Sequence, residues 1–403
     1  MEPSLDPSRV AVTGVTMGYG HLRASHAVAG ALGAEVWAVD RAPHVGRLEG
    51  LTWSRVRGVY DILSRLATNR GLAPPFRRAL DRLTAVERDS GGGAVGVLDG
   101  LVRMGLGRRL AESLDRGERT LVCAFYATAI AVERYGRAPV CCIVTDTDIH
   151  RVWAPREPAA TRIRYLVPGD TAARRLRGFG VPAERITITG FPLPQELVGS
   201  RRRELLETNL ARRLERLTGR SGDPPTLVFA VGGAGAQSRR ALELLRALRP
   251  LLIAGRLRLV LVAGTRERLA RRFERWVRTV RAPETEVLFE PTFAAYYRRF
   301  NRRLANADLL WTKPGELVFY AALGLPVILD DPVGSHELSN RHWLEDAGAG
   351  LRRPRIPDAA EWLDAGLGDG ALAEAASLAA SRLPSDGTGK VLQAILHESL
   401  TRT

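Results

Sequence analysis

The stretch RVAVTGVTMGYGHLRASHAVAGAL, Arg9 to Leu32, joins an apolar run to a glycine-flanked turn, Gly18-Tyr19-Gly20, and passes through His21 into an alanine-rich segment. A β-branched run that stops at glycine and resumes with helix-compatible residues reads as strand, turn and helix, the opening of a β-α-β unit. The turn is not the dinucleotide fingerprint. That motif needs three glycines spaced G-x-G-x-x-G, the last packing helix on strand, and its third place is Arg23 here.

The same rhythm continues outward. Short β-branched runs recur at Glu35 to Asp40, Thr120 to Phe125, Val140 to Asp146 and Arg185 to Gly190, alternating with helical-period segments. A very basic helical stretch, Ser200 to Leu217, leads to the breaker cluster Ser221 to Pro225, which reads as a domain entrance. A second series follows at Thr226 to Gly233, Leu257 to Gly264, Glu286 to Glu290, Asp308 to Thr312 and Leu325 to Asp331. This pattern predicts an α/β protein with two Rossmann-like, doubly wound parallel sheets in tandem, their strand ends facing a central cleft. Between Asp40 and Thr120 the rhythm fails. A helical insertion over about 44-118 is expected there, carrying Trp53, Arg55, Arg57, Tyr60, Arg65 and Phe76. The expected domains are 1-198, 199-375 and a helical segment over 376-403 that packs back on the first.

A chain of 403 residues, 45% hydrophobic and 26% charged, is long enough for two cores. Cys123, Cys141 and Cys142 form neither a disulfide framework nor a zinc-ligand spacing, so a reducing cytosol is the expected compartment. No basic start precedes an apolar stretch and no apolar run approaches a spanning length, so neither export nor a membrane span is expected. The net charge of +15 suits nucleic acid, an anionic membrane surface or an anionic substrate. Lys313 and Lys390 are the only lysines, however, and such arginine bias equally fits a GC-rich coding sequence. No nucleic-acid module accompanies the charge, and no nucleic-acid partner is expected.

Three turns carry the chemistry. The glycines around Tyr19 allow close approach of a ligand, the following helix offers unpaired N–H groups to an anion, and His21 can serve as a general base. A plain strand-to-helix turn whose histidine caps or packs accounts for the same residues. In FAVGGAGAQSRRAL, Phe229 to Leu242, the turn holding Gly232, Gly233 and Gly235 can cradle a diphosphate, and the absence of G-x-x-x-x-G-K-S excludes a P-loop NTPase. The third stretch runs from Leu309 to Gly350. A strand ends at Lys313-Pro314-Gly315, Glu316 enters a short helix, GLP starts another strand, and Gly334-Ser335-His336-Glu337 opens a helix bearing Asn340. Polar groups on successive strand-to-helix turns suit a polyhydroxyl ligand, since one carboxylate can hold both hydroxyls of a ribose.

The order MGYGHLRAS, VTDTDIHRVWAP, ITITGFP, VGGAGA, TKPGELVFYAALGLPVIL, GSHELSN resembles the GT-B glycosyltransferases, nearest to the family of the peptidoglycan-precursor N-acetylglucosaminyltransferase and monogalactosyldiacylglycerol synthase. The resemblance covers roughly Val10 to Gly350. It implies that His21 assists acceptor deprotonation and that Asp146, His150 and Trp153 match an acceptor-side D-x-x-x-H-x-x-W segment. It also implies that Gly232, Gly233 and Gly235 bind the donor diphosphate, Phe289 ends the strand beside the nucleotide base, and His336, Glu337 and Asn340 stand where a G-Q-E-x-x-N pattern touches the donor sugar. Three positions depart from the family. The segment between KPG and GLP is about two residues shorter, with an apolar residue near Phe319 where the ribose-binding glutamate belongs, leaving Glu316 to replace it. His336 replaces glutamine, and Tyr19 stands where close relatives keep glycine.

These features lead to an expected UDP-sugar-dependent hexosyltransferase, inverting and without a metal, acting on an acceptor that includes lipid-linked candidates. No cofactor is needed, since the nucleotide sugar is the substrate. Arg266 and Lys313 are candidate cations for the leaving diphosphate, with His21 or Asp146 as base. The arginine- and aromatic-bearing insertion suits either an anionic membrane, which would place the protein peripherally on the inner face, or a solvated helical cover. A nucleotide-sugar epimerase of the same architecture and a catalytically inactive binding module are the alternatives.

Overall fold

The computed structural model describes residues 5–16, 18–40, 44–46, 49–50, 92–199, 204–230, 238–332 and 335–400. The expectations placed on Gly232, Gly233, Gly235 and Gly334, and on Trp53 to Phe76 of the insertion, lie outside these residues.

The chain divides into two compact units, one of Met1–Gln195, Gly334–Ser339 and Asp386–Thr403, the other of Glu196–Val333 and Asn340–Ser385. The first holds β1 (Val10–Gly14), β2 (Val36–Ala38), β3 (Thr120–Cys123), β4 (Val140–Ile143), β5 (Arg164–Val167) and β6 (Ile186–Ile188), paired in the order β2-β1-β3-β4-β5-β6. The second holds β7 (Thr226–Ala230), β8 (Arg258–Gly264), β9 (Thr285–Phe289), β10 (Leu309–Thr312), β11 (Val327–Leu329) and β12 (Gly350–Arg352), in the order β12-β11-β10-β7-β8-β9. Every pairing among the described residues is parallel. The inner strands β1, β3, β4, β10 and β11 are buried at every residue, whereas the edge strands β2, β6 and β12 are only partly covered. A parallel sheet with helices on both faces needs uninterrupted apolar runs, and those inner runs are what the sequence displays.

Two strands go beyond the expected ten. RYLV of β5 opens with arginine, and GLR of β12 offers one apolar residue, so neither has the β-branched pattern that marks the others. Some of the expected strands run past the real ends. The stretch Val140 to Asp146, for example, is strand only as far as Ile143, and the buried Val144 leads into the polar loop from Thr145.

In the first unit, α1 (Tyr19–Leu32) follows β1, and α2 (Gly92–Arg103) and α3 (Arg108–Arg116) precede β3. Leu98, Val102, Leu106, Leu110 and Leu114 are buried in the same core as β1 and β3. This part of the expected insertion is therefore a helical layer of the unit. The helices α4 (Tyr126–Tyr135) and α5 (Asp170–Gly178) follow β3 and β5. In the second unit come α6 (Glu204–Leu217), α7 (Ser238–Ile253), α8 (Glu267–Val280), α9 (Phe293–Ala305), α10 (Ser335–Asp346, begun in the first unit), α11 (Ala359–Gly368) and α12 (Ala371–Arg382). Among the described residues no helix is long and apolar enough to cross a membrane.

Arg213 of α6 is fully buried. It donates to the carbonyls of Ala307 at 2.7 Å and Leu323 at 2.6 Å, and so caps the chain just past α9 and at the end of the helical turn before β11. Burial pulls its pKa down to about 10, with the nearby Asp308 carboxylate opposing the shift.

The last helix, α13 (Gly387–Leu400), packs on the first sheet. Its Glu398 is 7% exposed and pairs with Arg164 of β5 and, at 3.2 Å, with Arg185. Ser399 meets Thr120 of β3 at 3.0 Å. Removing Glu398 leaves two guanidinium groups without their shared carboxylate in a low-dielectric contact. Glu398→Ala is expected to lower stability by about 3 kcal/mol in equilibrium denaturation, and a change under about 0.5 kcal/mol would show the pair to be idle.

Candidate functional site

In a doubly wound sheet, successive connections leave on opposite faces where the winding reverses, and the crevice between the two diverging loops is where ligands bind. The order of the first sheet places that reversal between β1 and β3; the order of the second places it between β7 and β10. Each unit is described on its own below.

At the first reversal, β1 ends in Gly14. A Cβ there would stand 2.8 Å from Val36 and 2.9 Å from Leu22, so its absence lets α1 sit close on β1 and β2. Gly18 precedes α1 at φ +100°, a backbone region that side chains disfavour. Tyr19 and Gly20 are half-buried in the first turn of α1, and His21 is its third residue. Ser25 holds this turn to the strand, its hydroxyl lying 2.7 Å from the Thr13 carbonyl and 3.0 Å from that of His21.

His21 is gripped from across the reversal. Its Nδ1–H donates to the carbonyl of Ala124, just past β3, at 2.5 Å, and Thr145 Oγ1 lies 3.4 Å from the same nitrogen. A carbonyl can only accept, so in the neutral ring Nδ1 carries the proton and Nε2 the lone pair. Phe125 meets the imidazole edge-on at 5.1 Å, and Trp153 lies 6.4 Å away, itself packed on Tyr126 at 5.2 Å. The turn Gly18 to His21 and Trp153 are thus brought together. Ala124, Phe125 and Thr145 were not singled out in the sequence, because only the strand order makes them neighbours of His21.

The loop after β4 carries the other expected residues. Asp146 is half-buried, one residue beyond Thr145, and His150 precedes the short turn that buries Trp153. Trp153 is fixed through its carbonyl, which accepts from the Tyr165 hydroxyl at 2.8 Å. Asp148 is committed to a two-pronged ion pair with Arg175 of α5, at 2.9 and 2.8 Å. Among the described residues no group of three His, Cys, Asp or Glu side chains is arranged to hold a metal ion.

At the second reversal, Thr312 ends β10 and its hydroxyl donates to the Ala230 carbonyl of β7 at 3.1 Å. The Lys313-Pro314-Gly315 segment then makes a tight turn closed by Gly315 N–H on the Lys313 carbonyl at 2.7 Å. Asn340 of α10 is fully buried and its amide donates to the Pro314 carbonyl at 3.1 Å, which makes it a strut of this turn. Lys313 folds back over Gly315 and is half-buried, as is Glu316. Ser335 and His336, at the start of α10 in the part that belongs to the first unit, are half-buried, and Glu337 there is buried.

Glu316–Leu323 is a 3-10 helix of eight residues, seven of them buried. Such runs seldom exceed 3–4 residues. At about 2.0 Å per residue, eight residues of 3-10 helix span about 16 Å, a length that an α-helix needs about ten to eleven residues to cover. The narrower helix thus carries the chain further per residue from the KPG turn toward β11 than an α-helix would. Phe319 is buried in it, 5.2 Å from Trp343, and carries no polar group to the strand edge.

Phe289 and Arg266 lie on the other wing of this sheet, at the end of β9 and at the start of α8. The Phe289 carbonyl accepts from Arg299 of α9 at 3.2 Å, and the same guanidinium pairs with Glu290 and Glu286 at 3.1 and 2.9 Å. The turn after β9 is therefore held from behind by α9.

The two units are Rossmann-like, and together they make a two-domain α/β architecture of the GT-B kind. Residues 181–290 match a family described as a domain of unknown function (DUF6938). The chain is 24% identical to the processive diacylglycerol beta-glucosyltransferase of Staphylococcus carnosus over 216 residues, 53% of this chain and 49% of that protein. It is 24% identical to the Bacillus subtilis protein of the same name over 250 residues, 60% of this chain and 59% of that one. It thus spans about half the length of the curated relatives it matches. The UDP-GlcNAc 2-epimerase from Neisseria meningitidis, solved with UDP-GlcNAc bound, shares the fold at a TM-score of 0.50 and 13% identity, covering 76% of this chain and 81% of that one.

The strut on the KPG turn has a measurable worth. Asn340→Ala leaves the Pro314 carbonyl buried without its donor and is expected to cost about 1–3 kcal/mol in denaturant unfolding. A cost near zero would mean that the turn holds its shape without α10.

Proposed function

We propose that this chain is an inverting hexosyltransferase that uses a UDP-sugar donor and works without a metal ion, on a hydroxyl acceptor borne by a lipid. The observation that carries the reading is the hydrogen bond from His21 Nδ1–H to the Ala124 carbonyl, at the point of the first sheet where a ligand is expected, which supports Nε2 as the base. The acceptor oxygen attacks the anomeric carbon as the bond from that carbon to the diphosphate oxygen breaks. The electron pair leaves with UDP, and the acceptor proton passes to His21 Nε2. Asp146, His150 and Trp153 would shape the acceptor side with Gly18, Tyr19 and Gly20.

On the donor side, the amino end of α7 and the cations Lys313 and Arg266 would meet the growing negative charge of the diphosphate. Gly232, Gly233 and Gly235 belong to the same role by sequence. Glu316, next to Gly315, would take the ribose hydroxyls, the backbone at Phe289 the base, and Ser335, His336 and Glu337 the sugar, with Asn340 supporting the turn. Metal independence is supported by the commitment of Asp148 to Arg175, which leaves the Asp146-Thr147-Asp148 triplet without a second available carboxylate.

The lipid acceptor is supported by the likeness to diacylglycerol glucosyltransferases and by the charge of +15. Val97 and Met104 are 66% and 78% exposed at α2, beside Arg103, and offer an apolar and basic edge to an anionic membrane. Flotation with anionic liposomes tests this part, and absence of binding removes the peripheral-membrane component of the reading.

Incubation with UDP-hexoses and a diacylglycerol acceptor should release UDP at a rate unaffected by a chelator. His21→Ala is expected to lower kcat by about 10²–10⁴-fold while UDP-sugar still raises the Tm. A rearranged sugar nucleotide formed without acceptor would establish an epimerase in its place. Binding without turnover, indifferent to His21→Ala, would establish a binding module.

A further inference from the structure

Four charged side chains meet at the carboxyl edge of the second sheet, outside the set that the donor reading uses. Asp330 follows β11 and is 1% exposed. Arg240, in the first turn of α7, pairs with Asp330 Oδ1, and Arg353 Nε, just past β12, lies 2.9 Å from the same oxygen. Both arginines also reach Asp331, at 3.2 and 2.6 Å. The Asp330 backbone N–H donates to the Thr312 carbonyl at 2.9 Å, which ties this carboxylate to the strand that ends in the Lys313-Pro314-Gly315 turn. Its Oδ2 is buried without a hydrogen-bond partner.

The strand order shows what the cluster spans. Reading β12-β11-β10-β7, the end of β10 lies between the strand that carries Asp330 and the strand from which α7 departs. Arg240 therefore reaches from the helix after β7, past the end of β10, to the end of β11. An exposed ion pair would matter little. This one joins groups that are mostly covered, with side chains 24% exposed at Arg240, 20% at Arg353 and 0% at Asp330. Burying such charges is costly compared with an apolar contact of the same size, so the cluster adds direction and register at the expense of cohesion.

We propose that Asp330 is a positioning residue of the donor half: through Arg240 it sets the first turn of α7 against the ends of β10 and β11, and so aims the amides of that helix at the donor diphosphate. The inference rests on the donor reading above and extends it to the device that holds the site in shape.

A second property of Asp330 makes the proposal separable from a merely structural role. Burial pushes its carboxyl up to about 6, against the attraction of Arg240 and Arg353 and with added repulsion from Asp331. Among the described residues those three are the charged groups that act on it, from α7, from the segment after β12 and from its own strand end. The folded-state value lies above the 3.8 of an unperturbed aspartate, so the fold binds this proton more tightly than the unfolded chain does. The contribution of Asp330 to stability is thus present in acid and is lost as the pH rises through about 6. Its hold on Arg240 runs the other way and weakens as the pH falls through the same range. Affinity for the donor and stability of the fold then change in opposite directions.

The test uses the full chain and UDP-glucose, whose diphosphate diester has no ionisation of its own between pH 5.5 and 8. Wild-type affinity by calorimetry is expected to fall about threefold from pH 7.5 to 5.5, because with a pKa of about 6 roughly three-quarters of Asp330 is protonated at the lower pH and the protonated form binds about tenfold more weakly, the worth of one charge-assisted hydrogen bond. Asp330→Asn should bind about tenfold more weakly at pH 7.5, vary little with pH, and be at least as stable as the wild type. Arg240→Gln should show the same loss, and the double variant no more than either single one. It also carries the comparison should Asp330→Asn fail to fold. Wild-type affinity and pH profile in both single variants would overturn the proposal. A wild type that binds no nucleotide sugar at any pH would sink the donor reading instead. In that case amide exchange decides: residues 239–242 should exchange faster in Asp330→Asn with the other helices unchanged, and identical exchange would overturn the positioning role.

Discussion

A parallel strand cannot return to its neighbour through a two-residue turn, and every strand pairing among the described residues is parallel. Each strand must be followed by a crossover, so all strand ends of a sheet gather at one edge, and the polar residues that cannot enter the sheet gather with them. The reversal of winding then opens that edge at one place in each sheet. In both sheets a threonine of one strand beside the reversal bonds the other, Thr13 to the Val122 carbonyl at 3.3 Å and Thr312 to the Ala230 carbonyl at 3.1 Å. In the first sheet the grip of Ala124 on His21 repeats that bridge one layer further out. The candidate base thus inherits its orientation from the strand order itself.

The sequence carried the fold class because inner parallel strands leave an unmistakable mark: VAVTG, TLVC, VCCI and LLWT are buried at every position and read as continuous apolar runs. Edge strands leave less of a mark, since one flank is open and propensity yields to context. β12 is Gly350-Leu351-Arg352 and is held by pairing with β11, not by its own residues. The turns that bear glycine, histidine and lysine were legible as turns. Their partners were not. Ala124 enters through a backbone carbonyl and would serve equally as almost any residue, and Arg240 lies 90 residues from Asp330 with no local signal joining them. Strand order brings such pairs together, and strand order is a property of tertiary packing that no window of sequence contains.

The 3-10 helix Glu316–Leu323 carries the chain from the KPG turn toward β11 with fewer residues than an α-helix would need. Narrowing the helix recovers length, but it poses a problem of its own, because i→i+3 hydrogen bonds are poorer and a buried run cannot borrow from water. Arg213 answers part of it. Its guanidinium reaches the carbonyls at Leu323 and Gly324, the end of the stretched segment, from a helix more than 100 residues earlier. The cost is visible in its lowered pKa, and the fixed point is a charge that the interior would otherwise exclude.

Cys123, Cys141 and Cys142 sit side by side on β3 and β4, all buried, and burial pushes the thiols of Cys141 and Cys142 upward, away from the reactive thiolate. They are the three cysteines of the chain, and all belong to the first unit. A thiol reagent is therefore blind to the second unit and can reach its target only when the first sheet opens. Labelling kinetics would time the unfolding of one half of this molecule against a silent background from the other, with no probe introduced.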